Sequence, residues 1–289
     1  MPRSFKLTGI ADEGCASLAE QLACHAELGW RHLELRSVDS VPLANLSERS
    51  RVSMCDSLLA QSMDVVVLAS QIGNWGSRID TDWQTDRAEL QCLLQMAGRL
   101  GTRMIRVMSY PNCGWDEARW RHAVIERFKR LVEVAEDADV VLIHENCAGW
   151  AGQGAEQTLQ LLDAVGSDHL KLLFDIGNGL SYGYDALGFL RQVLPHVAHV
   201  HLKDGCWVSD EVHYTFPGEG QVGARDCIEL LMGEGYDGWF SIEPHLCLIP
   251  HLKQTATDPH RQRQTYQAYA EHARDLLQSC REARHAVHG

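Results

Sequence analysis

Four short segments constrain the fold most strongly, because in each an apolar run ends in a residue that can bind a divalent cation. The four candidate ligands are Glu145, Asp175, His201 and Glu243. In a barrel of parallel strands the carboxyl ends of all strands meet at one rim, so four such residues can converge there. Carboxylates with a single imidazole form a hard donor set, which favours Mn²⁺ or Mg²⁺, with Co²⁺ and Zn²⁺ as alternatives. The pattern predicts one metal site at one rim.

The alternation of strands and helices supports the same architecture. Eight short runs, most of them rich in Val, Ile or Leu, are typical of buried parallel strands: Lys6–Ala11, His32–Leu35, Val65–Ala69, Met104–Met108, Val140–Glu145, Lys171–Asp175, Ala198–Leu202 and Trp239–Glu243. Apolar residues at helical spacing lie between them, and one such stripe ends at Gly101, a helix stop. We therefore predict an α/β chain that forms a (β/α)8 TIM barrel, a single domain over residues 1–289 with a frayed tail at 281–289.

An open doubly wound sheet is the alternative to a barrel. It would require a glycine-rich phosphate loop after the first strand. The first turn, Ala11-Asp12-Glu13-Gly14-Cys15, lacks that pattern, so the barrel is favoured.

Composition narrows the choice of partner. A formal net charge of −13 disfavours nucleic acid, because phosphate binding needs clustered Lys and Arg. The ten cysteines contain no Cys-x-x-Cys pair, which indicates reduced thiols. The first residues lack the apolar block of a signal peptide, and no segment has the length of a membrane helix. We expect a cytoplasmic protein that binds a small molecule and has no membrane partner.

The chemistry follows from the two glutamates, Glu145 and Glu243, which end the fifth and eighth predicted strands. A cation bound there could hold the carbonyl and hydroxyl oxygens of a sugar and stabilise an enediolate. One glutamate would remove a carbon-bound proton and the other would return one. We predict a metal-dependent isomerase or epimerase of a sugar, keto-sugar or polyol, with this pair as the catalytic residues. A lone acid at a strand end is more often a helix cap or ion-pair partner, so the prediction depends on all four ligands occurring together.

Several further residues are candidates for binding the substrate. Because side chains alternate along a strand, Lys203 should point inward with His201, and His245 with Glu243. The other candidates are Asn178, Trp207, Trp150 and Arg106. Asn178 could bind a hydroxyl group, the tryptophans could stack on a sugar face, and Arg106 could meet an anionic group. The structural alternatives are salt bridges for the cations and packing for the tryptophans.

Glu34 and Arg36 share one side of the second predicted strand. Their opposite charges predict a buried ion pair that braces the site rather than a catalytic role.

Most of the chain, from Gly9-Ile10-Ala11-Asp12-Glu13 to the final helix, resembles a known family, and the resemblance is most specific in the second half. The segments His144-Glu145-Asn146, Phe174-Asp175-Ile176-Gly177-Asn178, His199-Val200-His201-Leu202-Lys203-Asp204, Pro217-Gly218-Glu219-Gly220 and Ile242-Glu243-Pro244 resemble the xylose-isomerase-like TIM-barrel superfamily, in the sugar phosphate isomerase/epimerase branch that contains tagatose 3-epimerase. The resemblance implies that Glu145, Asp175, His201 and Glu243 are the metal ligands and that the two glutamates are the acid–base pair. Dimers and tetramers are common in that family, so a homo-oligomer is compatible with the resemblance.

Three positions depart from the ketose 3-epimerase pattern. Asn178, Trp207 and Ala151 stand where those enzymes carry His, Arg and Glu. The departures place a free ketose substrate in doubt and leave the metal site intact.

Three other functions stay open. The first is a lyase on the same site, either a dehydratase or a keto-glycoside-cleaving enzyme. The second is a non-catalytic binding protein with a relic site. The third is an endonuclease IV-like nuclease, which the acidic charge and Asn178, in place of a histidine ligand, disfavour.

Overall fold

Eight parallel strands form a barrel in the computed structural model, which describes residues 5–249 and 258–288. The strands are β1 (Lys6–Gly9), β2 (His32–Leu35), β3 (Asp64–Ala69), β4 (Met104–Ser109), β5 (Val141–Gly149), β6 (Leu170–Asp175), β7 (Val197–Leu202) and β8 (Trp239–Ile242). Consecutive strands pair from β2 through to β8, and β8 pairs with β1. A parallel bridge between Ile10 and Glu34 joins the remaining two edges. The predicted (β/α)8 barrel, a single domain, is confirmed.

Nine helices of the described residues connect or cover these strands. They are α1 (Leu18–Glu27), α2 (Glu48–Ala60), α3 (Trp83–Leu100), α4 (Glu117–Glu136), α5 (Ala155–Val165), α6 (Asn178–Tyr182), α7 (Ala186–Val193), α8 (Ala224–Gly233) and α9 (Pro259–His288). None of those helices has both the length and the apolar character that crossing a membrane requires.

Local signals in the sequence set where the helices begin and end. The Asp116 carboxylate accepts a 2.9 Å hydrogen bond from the backbone N–H of Arg119 and so caps the start of α4. Gly101 ends α3 in the left-handed conformation at φ 72°, as its position predicted. α9 continues through residues 281–288, part of the expected frayed tail; the fraying itself stays a prediction, and Gly289 lies outside the described residues.

Some element boundaries differ from the prediction. β1 ends at Gly9 because Ala11–Glu13 form a 3₁₀ turn. Two antiparallel hairpins follow β2 and β7 and were not predicted: Ser37–Val38 with Val41–Pro42, and Asp204–Val208 with Glu211–Thr215.

The alternation of side chains along β5 separates the barrel interior from the helical layer. Ile143 packs with Val67 and Leu173 in a small cluster apart from the main core, as expected for residues that fill the barrel. His144 faces the other way, with its ring 5.7 Å from that of Phe128 on α4. Glu145, two residues after Ile143, therefore points toward the barrel axis.

His144 makes the stability of the fold sensitive to acid. It is fully buried, and neither ring nitrogen has a hydrogen-bond partner among the described residues. Burial lowers the pKa of His144 from 6.5 to about 3. Between these values the unfolded chain holds a proton that the folded chain lacks, so the free energy of unfolding falls as the pH falls.

We expect His144→Leu to weaken this pH dependence. Between pH 6.5 and pH 5 the wild-type histidine should remove about 2 kcal/mol from the free energy of unfolding. Urea unfolding at pH 7 and pH 5, with a chelator present, should show a correspondingly smaller loss in the variant. His122→Leu is the control, because His122 is exposed on α4. Equal losses in His144→Leu and wild type would contradict the argument.

Candidate metal centre

The structure brings together the four residues at the carboxyl ends of β5 to β8. One donor atom each from Glu145, Asp175, His201 and Glu243 lies within 4.8 Å of the others, and all four residues are buried. Asp175 and His201 are register partners on neighbouring strands. Strand order and register therefore place the four side chains at one rim.

The donor atoms fit a divalent cation. Glu145 Oε2, Asp175 Oδ2 and His201 Nδ1 are buried, and none has a hydrogen-bond partner within the described part of the chain. Such unsatisfied polar atoms are costly in a protein interior. A cation held by these oxygens and this imidazole would satisfy them, and the donor set suits Mn²⁺, Mg²⁺, Co²⁺ or Zn²⁺.

Backbone and amide contacts orient the Asp175 carboxylate. Its Oδ1 accepts hydrogen bonds from the backbone N–H groups of Gly177 at 2.7 Å and Asn178 at 3.1 Å, which leaves Oδ2 toward the cluster. Asn146 Oδ1 accepts from the Asp175 backbone N–H at 2.6 Å. Burial raises the pKa of Asp175 to about 6, although the neighbouring Lys203 acts in the opposite direction.

Asn178 also reaches the glutamate on β5. Its Nδ2 donates to Glu145 Oε1 at 3.1 Å. The side chain that we predicted to bind substrate therefore orients a candidate ligand.

Glu34 has a role that the sequence interpretation missed. It makes no ion pair with Arg36; instead its carboxylate lies 3.0 Å from His199 Nε2 and 3.1 Å from His201 Nε2. Burial would raise the pKa of Glu34, but the two histidines hold it well below its usual range. A proton on His201 Nε2 leaves the Nδ1 lone pair toward the cluster, where Nδ1 lies 3.5 Å from Glu243 Oε2. The spacing of His199 and His201, with an acid on β2, was the signal for this contact.

Arg36 is committed to other acids. Its guanidinium donates to Asp12, to Glu13 Oε1 at 3.2 Å and to Glu243 Oε1 at 3.1 Å. The expected buried ion pair with Glu34 is therefore wrong, although Arg36 does brace the site.

Lys203 points inward, as the alternation of side chains predicted. Its Nζ lies 2.6 Å from both Asp175 Oδ2 and Glu243 Oε2; the contact with Glu243 is a hydrogen bond, and that with Asp175 is an ion pair without hydrogen-bond geometry. Burial would raise the pKa of Glu243, but Lys203 and His245 hold it well below its usual range. Lys203 thus keeps the Glu243 carboxylate ionised.

The remaining candidates take different positions. His245 Nδ1 lies 2.9 Å from Glu13 Oε1, and these two residues form a further donor group with Glu243. Trp150 is 1% exposed and donates from its indole to Glu117, so its placement favours packing over stacking on a substrate. Trp207 is 51% exposed, on the hairpin after β7.

A cavity of about 730 Å³ opens on the β1–β4 side of this centre. Its wall includes Arg36 and Arg106, whose guanidinium groups contact Glu243 and Glu145 respectively, the latter through a 3.4 Å ion pair. Ser70, Asn74 and Trp75 line it from the end of β3. The cavity therefore adjoins the metal cluster through two arginines.

Comparison with known proteins agrees with the fold. The model of the xylose isomerase-like TIM barrel family matches residues 23–282. Inosose dehydratase 1 of Bacillus cereus (strain ZK / E33L) is 26% identical over 147 residues, which are 45% of this chain and 48% of that protein. The match thus spans about half the length of this curated relative.

Solved structures show the same fold at low identity. A structure of L-ribulose 3-epimerase has a TM-score of 0.71 at 17% identity and covers 99% of both chains. A structure of the IOLI protein with a bound zinc atom has a TM-score of 0.74 at 14% identity and covers 95% of this chain and 99% of that one. These relatives are metal-binding proteins or enzymes of small sugar-like molecules.

We expect Glu34→Gln to weaken metal binding, because a neutral amide cannot accept a charge-assisted hydrogen bond from His201 Nε2. Loss of such support typically lowers metal affinity about 10- to 100-fold. Titration of chelator-treated protein with Mn²⁺ by calorimetry measures the change, and the ¹⁵N shifts of His201 report its tautomer.

Glu48→Gln, at an exposed position on α2, is the matched control and should bind Mn²⁺ as the wild type does. An unchanged Mn²⁺ affinity and tautomer in a folded Glu34→Gln protein would rule out the orienting role.

Proposed function

Since this chain belongs to the xylose isomerase-like TIM barrel family, we propose that it is a divalent-metal-dependent enzyme that isomerises or epimerises a small keto-sugar or related polyol by proton transfer next to a carbonyl. The observation that carries the proposal is the placement of two buried glutamates, Glu145 and Glu243, in one group of four donor atoms. The likeness to an inosose dehydratase and to an L-ribulose 3-epimerase supports the class of substrate.

Glu145, Asp175, His201 and Glu243 would hold the cation. When bound, it would supply Lewis-acid polarisation of the substrate carbonyl and the adjacent hydroxyl group.

The two glutamates can move the proton because both are fixed in position. Glu243 is held by Arg36 and Lys203, and Glu145 by Asn178 and Arg106. One carboxylate oxygen accepts the proton from the carbon next to the carbonyl, and the bonding electrons move into the carbonyl group. The other carboxyl group returns a proton to the neighbouring carbon or to the opposite face, which gives an isomer or an epimer.

Proton transfer also needs protection from bulk water. All four donor residues are buried, so exchange of the abstracted proton with solvent should be slower than at an open surface.

A lyase is the second candidate, and the similarity to inosose dehydratase over 147 residues favours it specifically. The first step is the same abstraction of a proton next to the carbonyl. The second glutamate would then protonate a hydroxyl group on the β-carbon, whose bond to carbon breaks as water leaves.

We expect Glu145→Gln and Glu243→Gln each to lower turnover by at least about 100-fold, because an amide cannot accept the proton. The measurement is deuterium incorporation into keto-sugars and inososes in D₂O, followed by proton NMR with Mn²⁺ present. Circular dichroism and thermal melting should show that both variants remain folded.

Glu156→Gln, at an exposed position on α5, is the control and should retain wild-type turnover. Removal of metal by exhaustive chelation should abolish turnover, and added Mn²⁺ or Mg²⁺ should restore it. Full activity in either site variant, or after chelation, would refute the proposal.

The same NMR experiment separates the two candidate reactions. An isomerase or epimerase should produce a new stereoisomer or positional isomer of unchanged composition. A lyase should instead produce an unsaturated or deoxy product with loss of water or of an aglycone. We expect the first result; a dehydrated product would assign the chain to the lyases.

A further inference from the structure

We propose that Arg106 binds an anionic group of the substrate, so that the chain acts on a sugar-like acid rather than on a neutral sugar. This inference rests on the proposed function, because it takes the cavity beside the metal cluster to be the substrate site. Arg106 lines that cavity and lies 3.4 Å from Glu145 Oε2. A group bound to Arg106 would therefore lie beside the acid–base pair.

Arg106 has N–H groups that lack a hydrogen-bond acceptor. It is 3% exposed, and its Nε has no partner within residues 5–249 and 258–288. Its Nη2 donates to the backbone carbonyl of Ser70 at 3.2 Å, and its Nη1 makes the long contact with Glu145. A guanidinium carries five N–H donors, so most of its capacity is unused.

Arg36, which also lines the cavity, differs from Arg106 in its contacts. Arg36 donates through Nε, Nη1 and Nη2 to three carboxylates: Asp12, Glu13 and Glu243. It is therefore occupied by the protein itself. Arg106 faces one acid at ion-pair distance, and that acid, Glu145, is also a candidate metal ligand. Once Glu145 shares its charge with a cation, no other carboxylate of the described residues lies within ion-pair distance of Arg106.

The cavity wall beside Arg106 is uncharged on the side of β3. The cavity residues at the end of the neighbouring strand β3 and in the loop after it are uncharged: Ala69, Ser70, Gln71, Asn74 and Trp75. The acids that line the same cavity lie elsewhere: Asp12 is paired with Arg36, and Glu20, which is exposed, accepts a hydrogen bond from Ser17. A buried cation in a neutral wall favours a carboxylate or a phosphate, which the fork of an arginine can bind through two parallel hydrogen bonds.

Direct binding tests the inference without requiring turnover. The probes are D-fructose, D-fructuronate and D-fructose 6-phosphate, which differ only at C6, together with D-tagatose and D-tagaturonate. Calorimetry with Mn²⁺-loaded wild-type protein should show an acid or phosphate binding roughly 10- to 100-fold more tightly than its neutral partner. The two anionic arms decide whether the group is a carboxylate or a phosphate.

Variants show whether Arg106 causes the difference. Arg106→Gln should reduce the preference for the anion to about the level of the neutral sugar, and Arg106→Lys should retain part of it. Arg103→Gln is the matched control, because Arg103 is exposed, pairs with Asp139 and does not line the cavity; its preference should equal that of the wild type. If Arg106→Gln does not fold, the wild-type and Arg106→Lys comparisons remain decisive.

The inference is overturned if no anionic probe binds more tightly than its neutral partner, or if the preference is unchanged in folded Arg106→Gln protein. Turnover of neutral keto-sugars without a preference for anions would overturn this inference and leave the proposed function standing. Tight binding of the anion that depends on Arg106, without proton exchange in any probe, would support this inference and contradict the proposed function.

Discussion

The carboxylates at the mouth of the barrel can be buried together only because cations are buried with them. Arg36 bridges Asp12, Glu13 and Glu243, and Lys203 lies 2.6 Å from Glu243 and Asp175. Removing one partner of a buried ion pair typically costs about 3–5 kcal/mol, because the remaining charge has no compensation. The cations therefore fix the rim in a single arrangement, and the positions of the candidate metal donors depend on that arrangement.

Strand geometry then determines where the donor side chains point. Alternation along β5 and β7 points Glu145 and His201 toward the barrel axis, and the register of β6 and β7 sets Asp175 beside His201. Neighbouring residues also orient two of the donors: Glu34 contacts the imidazole of His201, and the side-chain amide of Asn178 donates to Glu145. Such supporting contacts orient ligands and raise affinity, so the centre extends well beyond its four donor residues.

The barrel and the four converging residues could be predicted because both follow from local patterns. Apolar runs mark the strands, and parallel strands bring their carboxyl ends to one rim, so Glu145 and Glu243 could be placed before any contact was known. The two histidine partners of Glu34 were missed, because His199 lies 165 residues away in the sequence and the spacing of His199 and His201 was the only signal for the contact. Opposite charge predicted Arg36 as the partner of Glu34, but the Arg36 guanidinium donates to three other carboxylates, those of Asp12, Glu13 and Glu243. The contact of Trp150 could not be predicted for a similar reason, since its loop position says nothing about the Glu117 carboxylate that its indole meets.

The barrel divides its tasks between two halves. The metal donors lie on or directly after β5 to β8. Much of the cavity wall comes from the ends of β1 to β4, with Ser70 after β3 and Arg106 on β4, and the rest comes from Leu248 after β8 and from the start of α9. Abstraction of a proton next to a carbonyl needs only the first half, and it is common to isomerases, epimerases and dehydratases. In the proposed function both glutamates that move the proton belong to the metal donors, and the choice of substrate depends on the cavity wall, where loops can change without disturbing the donors. This separation gives a physical reason why one fold occurs among dehydratases and epimerases alike.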